Sequence, residues 1–295
     1  MIKTQAIVLH RFAYSDSSFI VKALTEECGV VSFIVKGGKR KESPFKGALD
    51  PLALSEVVFR QNPNTELQFI KEASIVDWHA GLRQSLLYLA EAQVMAEIVL
   101  RYAPQGVPLP DEFQLLEGSL KAFDAIAAAT SADIAAEKAA DAGTAAGAEG
   151  APDGNQAPDG SFEKGPSGNS SGIFARWLLD ICDLWGYHLE LGECSRCERP
   201  FTEAPGDFFP ESGALICKSC LGVQSARAKP ATLAGLWQLY LAEKNGLEAP
   251  QYLKGAFFVE NALLSYLRNH IGFLKEIHSL SWLQEVRKLC SAQST

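Results

Sequence analysis

The chain has 295 residues, 47% hydrophobic and 21% charged, which suits a soluble globular protein of about two domains with substantial cores. Its formal charge of −8 weighs against nucleic-acid binding until its distribution is considered. Residues 124–163 hold eight acids and one base, so the remainder sits near −1 and has room for a local basic surface.

Seven cysteines are an odd number, and Cys28, Cys182 and Cys290 stand far apart. They read as reduced, buried thiols in a reducing cytoplasm rather than a secreted disulfide framework. No apolar run approaches the roughly 20 residues that span a bilayer. The first ten residues lack the apolar core and cleavage site of a secretory signal. A cytoplasmic protein with no membrane partner is expected.

Residues 1–78 predict five strands, at 5–10, 18–24, 30–36, 53–60 and 66–72, short and rich in Ile, Val and Phe. Turn material separates them. Strands at this spacing suit a small closed barrel, which removes exposed edges, or a five-stranded sandwich.

The loop after the third strand holds Lys36, Lys39, Arg40, Lys41 and Lys46 with one acid, Glu42, a local charge of +4. Its glycines, Gly37 and Gly38, let backbone approach a ligand closely. The pattern suits a groove that tracks a phosphate backbone, or a plain solvated turn. It is not a Walker A loop, since G-x-x-x-x-G-K-[ST] is absent. Arg11, Phe12, Tyr14, Phe19 and Phe33 lie nearby in sequence, as stacking faces or as core.

From residue 79 the period changes to helical. Leu82, Leu86, Ala90, Val94 and Ile98 form one stripe, and Asp111 is a predicted N-cap for a second helix carrying Phe113, Leu116, Leu120 and Phe123. Residues 125–172 are rich in Ala, Gly, Asp and Pro and predict a disordered acidic insertion, whose first part, to Ala140, has the composition to extend the preceding helix. Helical pattern resumes at Ile173, with Phe174, Trp177, Leu178, Ile181 and Trp185 on one face and Gly186 as the stop. Helices at 232–244, 252–270 and 280–289 close the chain. The helical domain is thus assigned to 79–124, 173–192 and 223–295.

Between its parts, at 193–222, lie two C-x2-C knuckles, Cys194 and Cys197, then Cys217 and Cys220. That spacing predicts one structural Zn2+ per chain, held by four thiolates with no open position for substrate. Arg196, Arg199 and Lys218 stand beside the ligands and are expected to offset their charge. No G-x-S-x-G, H-E-x-x-H or dinucleotide fingerprint is present, and the five histidines are scattered, so no enzyme is expected.

These pieces together resemble a known family. Thr4-x-Ala6-Ile7-Val8-Leu9, then Thr25-Glu26-Glu27-x-Gly29, then Val35-Lys36-Gly37-Gly38-Lys39-Arg40-Lys41-x-Ser43 open the pattern. Leu184-Trp185-Gly186-Tyr187 leading into Cys194, then Phe208-Phe209-Pro210-x2-Gly213 leading into Cys217, continue it. The chain resembles the bacterial RecO family of DNA repair and recombination proteins over about 1–124 and 173–290.

The resemblance implies an α+β architecture: an N-terminal five-stranded OB-fold barrel, then an all-helical domain carrying the zinc module. It implies binding of single- and double-stranded DNA and annealing of complementary strands. It also implies partnership with RecR and with the C-terminal tail of single-strand-binding protein, and help in loading recombinase at the nucleoid. Lys36, Lys39, Arg40, Lys41, Lys46 and Arg11 are the expected DNA contacts. Two positions depart from the family pattern: Glu198 stands where a glycine is common, and Lys275-Glu276 where a Lys-Ser pair is common. The rival readings are a zinc-ribbon adaptor that binds only protein and a cysteine-dependent enzyme using Cys182 or a knuckle.

Overall fold

The first strand carries a continuous apolar run, Ala6-Ile7-Val8-Leu9, and the barrel is built around it. In the computed structural model, which describes residues 1–144, 172–247, 249, 252–271 and 277–292, five strands form: β1 (Ile2–Ala13), β2 (Phe19–Thr25), β3 (Gly29–Val35), β4 (Leu54–Arg60) and β5 (Leu67–Asp77). They close in the order β1-β2-β3-β5-β4. β1 pairs antiparallel with both β2 and β4, and β3 pairs parallel with β5 through Ile34 and Phe69. Closure excludes the sandwich, and this five-stranded Greek-key barrel is the OB-fold.

β1 is buried on both faces in its middle. Ala6 and Val8 point into the barrel with Val21, Phe33, Val57 and Phe59. Ile7 and Leu9 point the other way and join the helical core with Leu24, Leu52 and Leu54. A strand covered on both faces reads as a continuous apolar run rather than an alternation, which is why Ala6-Ile7-Val8-Leu9 is apolar throughout. β1 and β5 extend beyond the predicted 5–10 and 66–72. The added part of β5 is largely exposed and is held by its ladder to β4, Ser55 opposite Ile75 and Val57 opposite Ala73.

Among the described residues, seven α-helices and a hairpin follow: α1 (Leu86–Tyr102), α2 (Pro110–Thr144), α3 (Ile173–Leu184), β6 (Asp207–Phe209), β7 (Ala214–Ile216), α4 (Lys218–Leu221), α5 (Pro230–Lys244), α6 (Ala256–Ile271) and α7 (Ser279–Ala292). On the predicted stripe, Leu82, Ala90, Val94 and Ile98 are buried, but Leu86 is exposed. The cause is Ser85, whose extended backbone separates a 3-10 turn from α1, and whose hydroxyl caps α1 by accepting from the Tyr88 N–H at 3.3 Å.

α2 departs from expectation twice. Pro110 opens it, so Asp111 lies inside the first turn with Glu112 rather than at the N-cap. The helix then runs to Thr144, past the predicted start of the insertion at 125. Half of that stretch is alanine, the best helix former, so backbone propensity favours its continuation. The rest of the predicted insertion, 145–171, lies outside the described residues.

Gly186 stops α3 as predicted, at φ 81°. Tyr187 N–H donates to Cys182 O at 2.8 Å and Gly186 N–H to Asp183 O at 3.0 Å, a Schellman pair. α5 begins two residues earlier than predicted, at Pro230, and α6 four residues later, at Ala256.

The barrel and the helical part are not separated by a linker, since the outward face of β1 and the helices share one core. A charge cluster lies inside the helical part. Arg287 of α7 hydrogen-bonds Glu260 of α6 and lies 3.2 Å from Glu91 Oε1 of α1, and both carboxylates are buried.

Candidate nucleic-acid interface and metal centre

The basic loop leaves β3 at Val35 and packs back on the β1–β2 turn. Lys39 donates its backbone N–H to Ser17 O at 3.1 Å and its Nζ to Ser15 O at 2.5 Å. Gly38 packs on a ring: a Cβ there would stand 2.4 Å from Phe19 Cε1, so a side chain would require the loop or the ring to shift. The loop is thereby held next to the turn that an OB-fold ordinarily offers to a strand of nucleic acid.

Lys36, Lys39, Arg40, Lys41 and Lys46 are all exposed, and among the described residues none of the five is in an ion pair. Solvated, unpaired cations on one loop can neutralise successive phosphates. Arg11 is different. Its Nη1 lies 2.6 Å from Asp50 Oδ1, and its guanidinium sits 5.2 Å over the Phe19 ring. It ties β1 to the far end of the same loop and is only partly available.

Of the aromatics near the loop in sequence, Phe19 and Phe33 are core, whereas Phe12 and Tyr14 at the end of β1 are exposed. Sequence reasoning missed Phe69. It is 56% exposed on β5, with Lys36 Nζ 5.0 Å from its ring centroid. No local signal marks it, because Phe69 alternates with neighbours like any core strand residue. Only the parallel β3–β5 pairing puts it beside Lys36. Next to it, the buried Gln68 side chain braces the 62–65 turn, accepting from Asn62 N–H at 2.7 Å and donating to Thr65 O at 2.6 Å.

The four knuckle cysteines converge. Their sulfurs all lie within 4.8 Å of one another, with Cys197 and Cys217 at 3.9 Å. A tetrahedral thiolate site with metal–sulfur bonds of about 2.3 Å sets its sulfurs about 3.8 Å apart. The group can therefore hold a metal ion with little rearrangement. The first knuckle is a tight turn in which Glu198 N–H donates to Cys194 O at 2.8 Å, and Cys194 N–H to Arg199 O at 3.0 Å. The second opens α4, where Cys217 Sγ accepts from Cys220 N–H at 3.4 Å.

Burial resists ionisation of Cys194, but N–H donors from Cys217, Arg196 and Cys197 outweigh it and lower the thiol to about 6. Arg199 is held above its usual value by the Cys197 sulfur that it hydrogen-bonds. Arg196 Nη1 donates to Cys220 O at 2.7 Å. Lys218, expected to offset the thiolates, pairs with Glu203 instead.

Glu198 has φ 55°, in the left-handed region where a side chain is strained. This accounts for the glycine common at that position. Glu198→Gly is expected to stabilise the protein by about 1 kcal/mol, read as a higher melting temperature with unchanged metal content. The second departure, Lys275-Glu276, lies outside the described residues.

Among the other thiols, Cys182 is buried as expected, while Cys28 and Cys290 are half-buried. Burial, with Asp183 adding to it, pushes Cys182 up to about 12, so it holds no thiolate at neutral pH. Among the described residues, no helix is long and apolar enough to cross a membrane.

Comparison with known proteins separates along the same parts. The family model described as Recombination protein O N terminal matches residues 1–79, and that described as Recombination protein O C terminal matches residues 162–281. The DNA repair protein RecO of Geobacter metallireducens is 27% identical over 283 residues, covering 93% of this chain and 97% of that protein. That of Anaeromyxobacter sp. strain K is 26% identical over 296 residues, covering 99% of each. The Salinibacter ruber protein is 32% identical over 120 residues, 41% of this chain and 46% of that protein. With the barrel matched by one model, the cysteine centre and α3 to α6 by the other, and relatives aligning end to end, the chain belongs to the recombination protein O (RecO) family of DNA repair proteins.

Proposed function

We propose that the protein is a recombination mediator without catalytic turnover. It binds single- and double-stranded DNA, anneals complementary strands and helps load recombinase onto DNA coated with single-strand-binding protein. The observation that carries this reading is the set of five exposed, unpaired cations on a loop braced against the β1–β2 turn of an OB-fold barrel. Phe12, Tyr14 and Phe69 are exposed aromatic faces on that barrel, suited to base stacking. Annealing follows if one protein screens two phosphate backbones at once and lowers their mutual repulsion.

The four thiolates hold one Zn2+, since an all-sulfur tetrahedral set selects zinc among common structural ions. Its role is to fold the helical part. RecR and the C-terminal tail of single-strand-binding protein are the proposed protein partners, and the proposed setting is the cytoplasm, at the nucleoid.

Binding to single-stranded DNA should show a log–log salt slope near −3.5 if all five bases contact phosphate, at about −0.7 each. Lys39→Ala, Arg40→Ala and Lys41→Ala together should flatten the slope by about 2 and weaken binding about 100-fold near 0.1 M salt, whatever the sequence. An unchanged slope removes the loop from the DNA site. On DNA pre-coated with single-strand-binding protein, the intact protein should accelerate annealing without ATP. An adaptor that binds only protein would neither shift naked DNA nor anneal it.

A further inference from the structure

We propose that Asp77, His79 and Asp124 form a second metal site, for a divalent transition ion such as Mn2+ or Zn2+, where the barrel meets the helical body. Asp77 ends β5, His79 follows it, and Asp124 comes from α2. Their ligand atoms all lie within 4.8 Å of one another.

His79 is what points to a ligand. Its side chain is fully buried, and neither ring nitrogen makes a hydrogen bond. A buried polar group without a partner is uncommon in folded proteins and calls for an unseen water or ion. Its Nδ1 faces Asp77 Oδ2 at 3.5 Å, close to the spacing of adjacent ligands around a metal at about 2.1 Å. Burial lowers the His79 pKa against the pull of Asp77 and Asp124.

The carboxylates are positioned by the backbone. Asp77 Oδ1 accepts from His79 N–H at 2.7 Å, and Asp124 Oδ1 accepts from Leu82 N–H at 2.9 Å. Each uses one oxygen on the chain and keeps the other for a cation. His79 itself sits at φ 52°, a conformation in which His, Asn and Asp are enriched. The nearby cations are engaged elsewhere: Arg83 donates to Trp78 O and Pro51 O, each at 2.7 Å, and Lys121 pairs with Glu117 at 2.6 Å.

The donor set decides the class of ion. Mg2+ and Ca2+ take oxygen ligands, whereas a buried imidazole suits transition ions, and two carboxylates favour the harder of these. Asp77 is 38% exposed, which gives water and the ion a way in.

The test uses the full chain with its cysteine site already filled by zinc, titrated with Mn2+ and followed by electron paramagnetic resonance. One equivalent of Mn2+ should bind per chain. Pulsed spectra of the bound ion should show coupling to an imidazole nitrogen, a readout that needs no variant. His79→Asn, which tolerates the same backbone, and Asp124→Asn, which can still accept from Leu82, should each weaken binding about tenfold or more. No bound Mn2+, bound Mn2+ without nitrogen coupling, or equal binding in folded variants overturns the proposal.

Discussion

Removing the metal proposed for the four-cysteine centre is expected to unfold residues 193–222 and to lower stability by about 5 kcal/mol or more. Structural zinc contributes about 10–16 kcal/mol in small finger peptides, and part of that is offset here by packing that survives its loss. The coupling to the rest of the molecule is direct. Cys194 is fully buried in the same core as Phe208, Leu215, Trp177 and Leu267. Its sulfur also accepts from Cys217 N–H at 3.3 Å, which joins the two knuckles. Hydrogen bonds to the Cys217 and Cys197 sulfurs favour the protonated Cys220 thiol and push it up to about 12.

A strong chelator or Cys197→Ser should therefore lower the melting temperature sharply and open the 193–222 segment to protease. Cys28→Ser, far from the cluster, should do neither. A native protein with four reactive knuckle thiols and a melt indifferent to chelator would refute the assignment.

Arg287→Leu is expected to cost about 3–5 kcal/mol at neutral pH, the usual penalty for removing one partner of a buried ion pair. Arg287 is the cation between Glu91 and Glu260, whose side chains are fully buried. Burial raises the Glu260 pKa, and Arg287 opposes that shift. Without Arg287 the carboxyl moves further above its unfolded value of about 4.3. A raised folded pKa favours the folded state below the unfolded pKa and loses that advantage as pH rises through the folded one. The deficit of Arg287→Leu should then grow from pH 4 to pH 8 in denaturant unfolding. Arg287→Lys, which keeps a charge, should recover part of it. A pH-independent deficit would mean that lost packing against Phe257, 5.5 Å from the guanidinium, explains the effect instead.

Element types were legible because local patterns encode them. Short β-branched runs marked the strands, four-residue spacing marked α1 and α3, and Gly186 marked a helix end. Cysteine spacing marked the knuckles, since two C-x2-C pairs need only a short hairpin, β6–β7, to bring them together. The low-complexity stretch after residue 125 continues α2, as its alanine content allowed, because low complexity and helix propensity coincide in alanine.

The order of apolar, basic and cysteine residues along this chain determined the strands, the helices, the cationic loop and the four-thiolate cluster, each a product of near neighbours, whereas closure of the barrel rests on the long-range β1–β4 and β3–β5 pairings. The tertiary structure alone decided that Phe69 stands beside Lys36, that Arg11 is tied to Asp50, that Arg287 meets Glu91 and Glu260, and that His79 lies between Asp77 and Asp124. Those contacts join residues far apart in sequence, and they depend on which faces pack together, a choice made by shape and burial that no local period records.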